Sequence, residues 1–353
     1  MLKMVKKVFL QRWIRIYQVA ATYIGTVVGA GFATGQEIFQ FFTRNGALGT
    51  LAILLSTLLF IGIGYKTMTI AKLERCYSYQ EFHVHLFGPK GSLFFNLMIP
   101  FLLLGGSGVM LSGMGALFEE QFHLPRQIGI LLAMLLVILI VLKGLKGVLW
   151  VNGLFAPFIL FMISLLGLHL LLEPPSFPAT LDPWNFRWIL SAILYTGLNL
   201  ILSQAVLVPL GKETEDASIL LWGSLFGGGG LGLMLLIGHE VMLRHQNLIQ
   251  QAEIPLGTIL HFLFPWAFVL YSLVILVEIL TTLVGNTFGI MRQAESIASL
   301  PPLPSLLLVL LGAYLISHWG FRMLVSSLYP FIGGLGILYI VRIIFYPILP
   351  NKK

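Results

Sequence analysis

Long apolar runs separated by short polar breaks follow one another along the whole chain. They occupy residues 16–42, 48–70, 93–118, 128–142, 148–172, 188–210, 217–237, 258–291, 303–319 and 323–348. A helix needs about 17 to 25 apolar residues to cross a bilayer of roughly 30 Å, and the runs have about this length or more. The sequence lacks the ten-residue alternation of an outer-membrane barrel. The pattern predicts an all-α membrane protein with about ten transmembrane helices.

The charged residues support this interpretation and set an orientation. Only 10% of the 353 residues are charged, too few to cover a soluble globule. If the N-terminus is cytoplasmic, almost all Lys and Arg residues fall on the cytoplasmic side. The exceptions are Arg44, Arg126, Arg187, Arg244 and Arg322. The net charge of +7 therefore indicates orientation in a bacterial cytoplasmic membrane with both termini inside, and not a nucleic-acid partner.

A proline-rich connection divides the predicted spans into two groups of five. We predict a first half at residues 1–173, an external loop at 174–187 and a second half at 188–353. Because five is odd, two related halves would lie in the membrane with opposite orientations. Transporters built from such inverted repeats bind solutes near the midplane, at interruptions in their helices. We therefore expect the first and sixth helices to be discontinuous.

The first span contains GTVVGAGFATGQEIFQFF, which is rich in glycine and includes an acid. Its two pairs of small residues, Gly25 with Gly29 and Gly31 with Gly35, are offset by about 200° at 100° per residue. Close helix packing on two opposite sides is one explanation. An unwound segment at residues 28–32, with free peptide groups for a solute, is the other. The predicted solute-binding residues here are Gly29, Ala30, Gly31, Phe32, Gln36 and Glu37.

The sixth span, as the first helix of the second half, is predicted to supply the other wall of the site. Tyr195, Asn199 and Gln204 are its candidate residues; Gly197 lies with Asn199 in mid-membrane, and Pro209 and Gly211 lie at the inner end. The alternative is that these polar side chains form hydrogen bonds to neighbouring helices.

Two acids lie within predicted spans. A carboxylate in a membrane helix is costly, so Glu278 should face the bundle interior, be protonated or pair with a cation. Thr281 and Thr282, one turn later, either supply oxygens to a cation or bond back to their own helix carbonyls. Glu37 could bind an amine, carry a proton, or pair with Arg44 or Arg322.

Four segments resemble a known family. TVVGAGFATGQEIFQFFTRNG, VMLSGMGALFEEQFHLP, KGLKGVLWVN and EILTTLVGNTFG are similar to the bacterial YkvI-type membrane proteins, of the amino acid, polyamine and organocation transporter superfamily. More distantly, the arrangement is similar to the LeuT fold. That resemblance implies a sodium site formed by the carbonyls of Gly25, Val28 and Glu278 and the hydroxyls of Thr281 and Thr282. Glu278 departs from the pattern, because a small neutral residue is usual there.

These observations predict a secondary active transporter that uses alternating access. The expected solute is an amino acid or a related amine, moved by symport with sodium. Proton coupling through Glu278 or Glu37 remains open, as does a sensor that binds a solute without transporting it. We expect no enzymatic activity, no cofactor and no metal site beyond sodium; the expected partners are the lipid bilayer and the solute. His83 and His85 have no evident third ligand.

Overall fold

The chain is a bundle of helices. The computed structural model describes residues 2–143, 146–172, 186–214, 216–298 and 301–347. Every regular element in these ranges is helical: α1 Leu2–Val27, α2 Ala30–Thr34, α3 Gln36–Phe41, α4 Leu48–Leu73, α5 Tyr79–Phe122, α6 Arg126–Lys143, α7 Lys146–Leu172, α8 Arg187–Glu213, α9 Ala217–Arg244, α10 Gln246–Ile249, α11 Pro255–Leu263, α12 Phe268–Ala298, α13 Pro302–Ser317 and α14 Phe321–Phe345, with 3-10 turns at Thr43–Asn45 and Pro265–Ala267. The all-α prediction is confirmed.

Six of the described helices are long and apolar enough to cross a membrane: α4, α5, α8, α9, α12 and α14. Three shorter apolar helices accompany them, at Arg126–Val141, Phe158–Leu172 and Leu303–Ser317. The protein is therefore a multi-pass membrane protein. Most of the predicted external loop, residues 174–185, lies outside the described residues.

The predicted eighth span was too long at its start. The run from residue 258 contains α11 and a 3-10 turn before α12 begins at Phe268. Phe264 has extended backbone angles, φ −136° and ψ 71°. The physical reason is Pro265, since a residue before proline is pushed out of the helical region.

The third predicted span is the second part of a longer helix. Ser78 caps the start of α5 by accepting a hydrogen bond from the Glu81 amide at 3.2 Å. The helix bends at Gly88, where φ is 71° and Pro89 follows. This bend separates a short amphipathic segment, residues 79–87, from the apolar part of α5.

The predicted interruption of the sixth helix is wrong, because α8 is a single helix of 27 residues. A Cβ atom on Gly197 would lie 2.7 Å from the Gly333 carbonyl oxygen of α14. The glycine therefore permits close approach of α8 and α14 and does not break the helix. The Asn199 side-chain amide donates to the Tyr195 carbonyl at 3.0 Å, within the same helix.

Helix α8 lies at the centre of the bundle and packs against α4 and α14. Ser56 of α4 donates to the Ala192 carbonyl of α8 at 3.2 Å. Beside this group, α1 packs on α9, and the Tyr23 hydroxyl of α1 donates to the Phe60 carbonyl of α4 at 2.8 Å. Helix α12 packs on α5 and also contacts α2, whereas α1 and α3 contact α8. The interrupted first helix therefore lies between α8 and α12.

Candidate solute site

The first membrane helix is interrupted. Helix α1 ends at Val27 and α2 begins at Ala30. Val28 still donates to the Ile24 carbonyl at 2.8 Å, but Gly29 is extended, with φ −125° and ψ −167°. The first amides of α2 therefore have no partner within their helix. The predicted interruption is confirmed, although it is shorter than the predicted 28–32.

A second bend follows directly after the five residues of α2. Gly35 has a left-handed conformation, with φ 82°, and its amide donates to the Phe32 carbonyl at 3.0 Å. The Tyr271 hydroxyl of α12 donates to the free carbonyl of Ala33. The bend is tightly enclosed, because a Cβ on Gly35 would lie 2.6 Å from the Leu256 Cγ of α11. It directs α3 so that its first turn folds back toward α2.

Glu37 lies against the start of α2. A Cβ on Gly31 would lie 2.7 Å from the Glu37 Cδ atom, so only glycine leaves room for this carboxyl group. The Glu37 side chain is 7% exposed and lies beside the Tyr195 hydroxyl. Arg44 donates instead to the Gln40 side chain at 2.7 Å, and Arg322 donates to the Gln250 carbonyl. The predicted alternative of an ion pair with either arginine is therefore not formed.

On α8, Tyr195 and Asn199 face the interrupted helix. The Tyr195 ring packs 5.4 Å from the Phe41 ring and 4.8 Å from the Phe42 ring, measured between centroids. Tyr195 and Asn199 are both buried and, at a spacing of four residues, lie on one face of α8. This face of α8 lies beside α3, and the role of the two residues in solute binding stays a prediction.

Gln204 lies elsewhere. Its side-chain oxygen is 2.8 Å from His83 Nε2, and His83 Nδ1 is 3.1 Å from the Asn96 side-chain oxygen. Nine residues after Tyr195, Gln204 is rotated by about 180° around α8, so it does not face the same space. This buried trio joins the first segment of α5 to α8. Sequence reasoning missed it because His83 and Gln204 are far apart in the chain.

Helix α12 meets the interruption at Thr282. Its hydroxyl oxygen lies 3.8 Å from the position of a Cβ on Gly29. The Thr281 hydroxyl bonds back to the Val277 carbonyl at 2.9 Å and to the Glu278 carbonyl at 3.2 Å. A hydroxyl that donates in this way keeps lone pairs for a cation. The structure thus brings the two helices of the predicted ion site together, while Gly25 lies one turn away on an exposed surface.

The side chains of α8 change from buried to exposed along one face. Tyr195 and Asn199 are buried, whereas Leu202 is 45% and Val206 39% exposed. These four residues follow the spacing i, i+4, i+7 and i+11 and therefore share a face. This face of α8 is therefore buried near α3 and exposed farther along.

Helices α1 and α12 show the same change at the same level. Phe32 is fully buried, Gly29 is half-buried and Gly25 is exposed. On α12, Glu278 is buried and Gly285 is exposed. The contact between Gly29 and Thr282 therefore lies at the boundary between the buried and the exposed parts of these helices.

In this membrane bundle the first helix is interrupted, and threonine hydroxyls of α12 lie beside the interruption. This is the architecture of the LeuT-like class. Solved structures agree. The inward-facing conformation of Mhp1 superimposes with a TM-score of 0.67 at 14% identity, covering 93% of this chain and 75% of that one. A mutant of the Eremococcus coleocola manganese transporter gives 0.59 at 14% identity, covering 92% and 77%. At this identity the likeness shows the fold.

The family follows from a closer relative. The chain is 35% identical to the uncharacterized membrane protein YkvI of Bacillus subtilis (strain 168), over 92% of this chain and 93% of that protein. No protein-family model matches the chain. The chain belongs to the family of YkvI, and the resemblance found in the sequence is confirmed at that level.

Proposed function

We propose that the protein is a secondary active transporter of a small amine-bearing solute, either an amino acid or a related amine, coupled to sodium. The observation that carries the proposal is the interruption at Gly29 beside Thr282, at the level where three helices pass from buried to exposed. Free peptide groups at such a level serve as ligands in broken-helix transporters. Mhp1, described as a nucleobase-cation-symport-1 family transporter, and the manganese transporter have the same fold.

Helix packing supports a ten-span, five-plus-five repeat. In this scheme the first repeat consists of α1–α3, α4, α5, α6 and α7, and its elements correspond in order to α8, α9, α12, α13 and α14 of the second repeat. Each contact in one repeat then has an equivalent in the other. The contact of α1 with α9 is equivalent to that of α8 with α4, the contact of α5 with α6 to that of α12 with α13, and the contact of α7 with α12 to that of α14 with α5. Two copies of one five-helix unit would produce this pairing. Together with the charge distribution, an even number of spans supports a cytoplasmic location for both termini. It also fits membership of the amino acid, polyamine and organocation superfamily.

The proposed binding groups lie on the interrupted first helix, on α8 and on α12. The solute contacts α2 and α3 at Gly29, Ala30, Gly31, Phe32, Gln36 and Glu37, and α8 at Tyr195 and Asn199. Sodium binds the carbonyls of Gly25, Val28 and Glu278 and the hydroxyls of Thr281 and Thr282. Alternating access would open the aromatic contact of Tyr195 with Phe41 and Phe42 and close the space below.

Counterflow in proteoliposomes tests this function. Vesicles containing the purified chain are loaded with unlabelled amino acids and amines, and entry of the labelled solute is followed with and without a sodium gradient. We expect saturable exchange of at least one solute and stimulation by sodium. Absence of exchange for the whole panel would refute transport, and equilibrium binding without exchange would favour a sensor.

Proton coupling is the second candidate, favoured by a specific observation. Glu37 and Glu278 are 7% and 6% exposed. The ion pairs of the described residues join His85 with Glu74 and Arg126 with Glu119 and Glu253, and neither buried acid takes part. Exchange that responds to a pH gradient and not to sodium would support this candidate.

A further inference from the structure

We propose that the solute is a cationic amine without a carboxylate group, and that Glu37 binds its ammonium. This inference rests on the proposed transport function and narrows its substrate class. It concerns the same site, between α2, α3 and the Tyr195 face of α8.

The place expected for a solute carboxylate is already occupied. In many broken-helix transporters a solute carboxylate meets the first amides of a helix at the break. Here the Glu37 carboxyl lies over Gly31, in the first turn of α2, with its Cδ 2.7 Å from the position of a Cβ on that glycine. A second carboxylate at this position would face a like charge in a poorly solvated environment, which is strongly unfavourable.

The three segments that carry the proposed binding groups contain no cationic side chain. The segments 16–42, 188–211 and 268–291 have no Lys, Arg or His, and their charged residues are Glu37 and Glu278. Arg44, in the 3-10 turn after α3, donates to Gln40, and Arg322, at the start of α14, contacts the Gln250 carbonyl and the Phe39 ring. A carboxylate buried in a membrane protein needs a cation or a proton. A solute ammonium meets that need, and the repulsion between Glu37 and a second carboxylate then favours an amine over an amino acid.

Two buried polar groups at the site also lack a geometric hydrogen bond. Within the described part of the chain, Glu37 Oε2 has no hydrogen bond, and neither has the Tyr195 hydroxyl that lies beside this carboxyl group. A primary ammonium has three N–H donors, and Glu37 Oε2 and the Tyr195 oxygen are acceptors. The rings of Tyr195, Phe41 and Phe42 add faces that attract a cation.

The rest of the solute would extend toward the open side of the site. Below Tyr195 and Asn199, the same face of α8 continues with Leu202 and Val206. These side chains suit a hydrocarbon tail. The expected class is therefore a small primary amine with an apolar substituent.

Matched pairs of probes test this inference directly. Each pair consists of an amino acid and the amine that lacks its carboxylate: alanine with ethylamine, leucine with isoamylamine, and phenylalanine with phenethylamine. The readout is the Tm of the purified full-length chain in detergent across a concentration series. We expect at least one amine to raise the Tm, with an apparent affinity at least about tenfold above that of its amino acid.

Three variants complete the experiment. Glu37→Gln should weaken amine binding about tenfold to a hundredfold, because a charge-assisted bond is lost. Glu37→Asp keeps the charge and should retain the preference for the amine, which covers the case in which the Gln variant does not fold. Glu240→Gln is the matched control, since this acid lies on α9 beside the Thr50 hydroxyl, away from the site; it should bind like the unmodified chain.

Three outcomes would contradict the amine-binding inference. Equal or tighter binding of the amino acids, an unchanged amine response in Glu37→Gln, or no response to any amine would overturn the inference. Counterflow with the labelled amine distinguishes failure of this inference from failure of the transport proposal. Binding of the amine without exchange would refute transport and would still support an ammonium site at Glu37.

Discussion

The interrupted rod α1–α3 and the continuous helix α8 have similar compositions but different structures. Both contain glycine at mid-span and polar side chains within an apolar run. In α8, Gly197 faces the Gly333 carbonyl of α14 at close range, and Asn199 bonds within its own helix. In the rod, Gly29 is extended and Gly35 is left-handed. The comparison shows that a membrane glycine serves packing or a bend according to what faces it.

The largest effect is expected at the second bend. Gly35→Ala should destabilise the fold, because its positive φ costs about 1–2 kcal/mol for a residue with a Cβ. Overlap with Leu256 adds about 1–3 kcal/mol. Thermal unfolding of the purified chain measures the sum. Gly46→Ala introduces positive-φ strain without overlap, at ψ −139° instead of −2°, since no atom lies within 4 Å of its added Cβ. A loss of no more than about 1–2 kcal/mol in Gly35→Ala would show that overlap contributes nothing.

Gly197→Ala probes the other side of the comparison. Its Cβ would lie 2.7 Å from a backbone oxygen, so we expect a loss of about 1–3 kcal/mol in unfolding free energy. Gly229→Ala on α9 is the matched helical control, because nothing lies within 4 Å of its added Cβ. It should be neutral or stabilise by up to about 1 kcal/mol. A stable Gly197→Ala protein would contradict the packing role assigned to this glycine.

Variants of Thr281 and Thr282 on α12 test whether the interruption forms part of a sodium site. Thr281→Ala or Thr282→Ala should weaken sodium-dependent stabilisation about tenfold, as expected for one lost oxygen ligand worth about 1.4 kcal/mol. Sodium titrations followed by the Tm give the two affinities. Unchanged sodium dependence in both variants would contradict the sodium site and favour proton coupling. The Glu278→Gln variant would then test whether Glu278 carries the proton.

The smallest effect is expected at Tyr271, which donates to the Ala33 carbonyl inside the rod. Tyr271→Phe should cost about 1 kcal/mol of stability and also change the rate of counterflow, because the bond connects α12 to the moving segment. Tyr23→Phe removes a comparable bond to the Phe60 carbonyl and should cost the same stability. A similar change of counterflow in both variants would argue against a specific role of Tyr271.

Much of the fold could be predicted from apolar run length. The helical class and most span positions follow from hydrophobicity, and the helix propensity of glycine favours an interruption near Gly29 without excluding close packing. The starts of α5 and α12 were misplaced, since their limits depend on the Ser78 cap, the Gly88 bend and the position of Pro265. Glu37 and Tyr195 were named as candidates from the sequence, but their adjacency depends on the second bend.

By itself, the sequence determined that this chain lies in a membrane as a bundle of helices, because that property depends on local hydrophobicity. For the glycines of the first helix it left an interruption and close packing both open, and the tertiary structure decided for the interruption. Only the tertiary structure decided that α8 remains whole, that Gln204 joins His83, and that Glu37 folds onto Gly31 without an ionic partner. Those outcomes depend on which residues, distant in the chain, come to face each other, and a linear pattern does not contain that information.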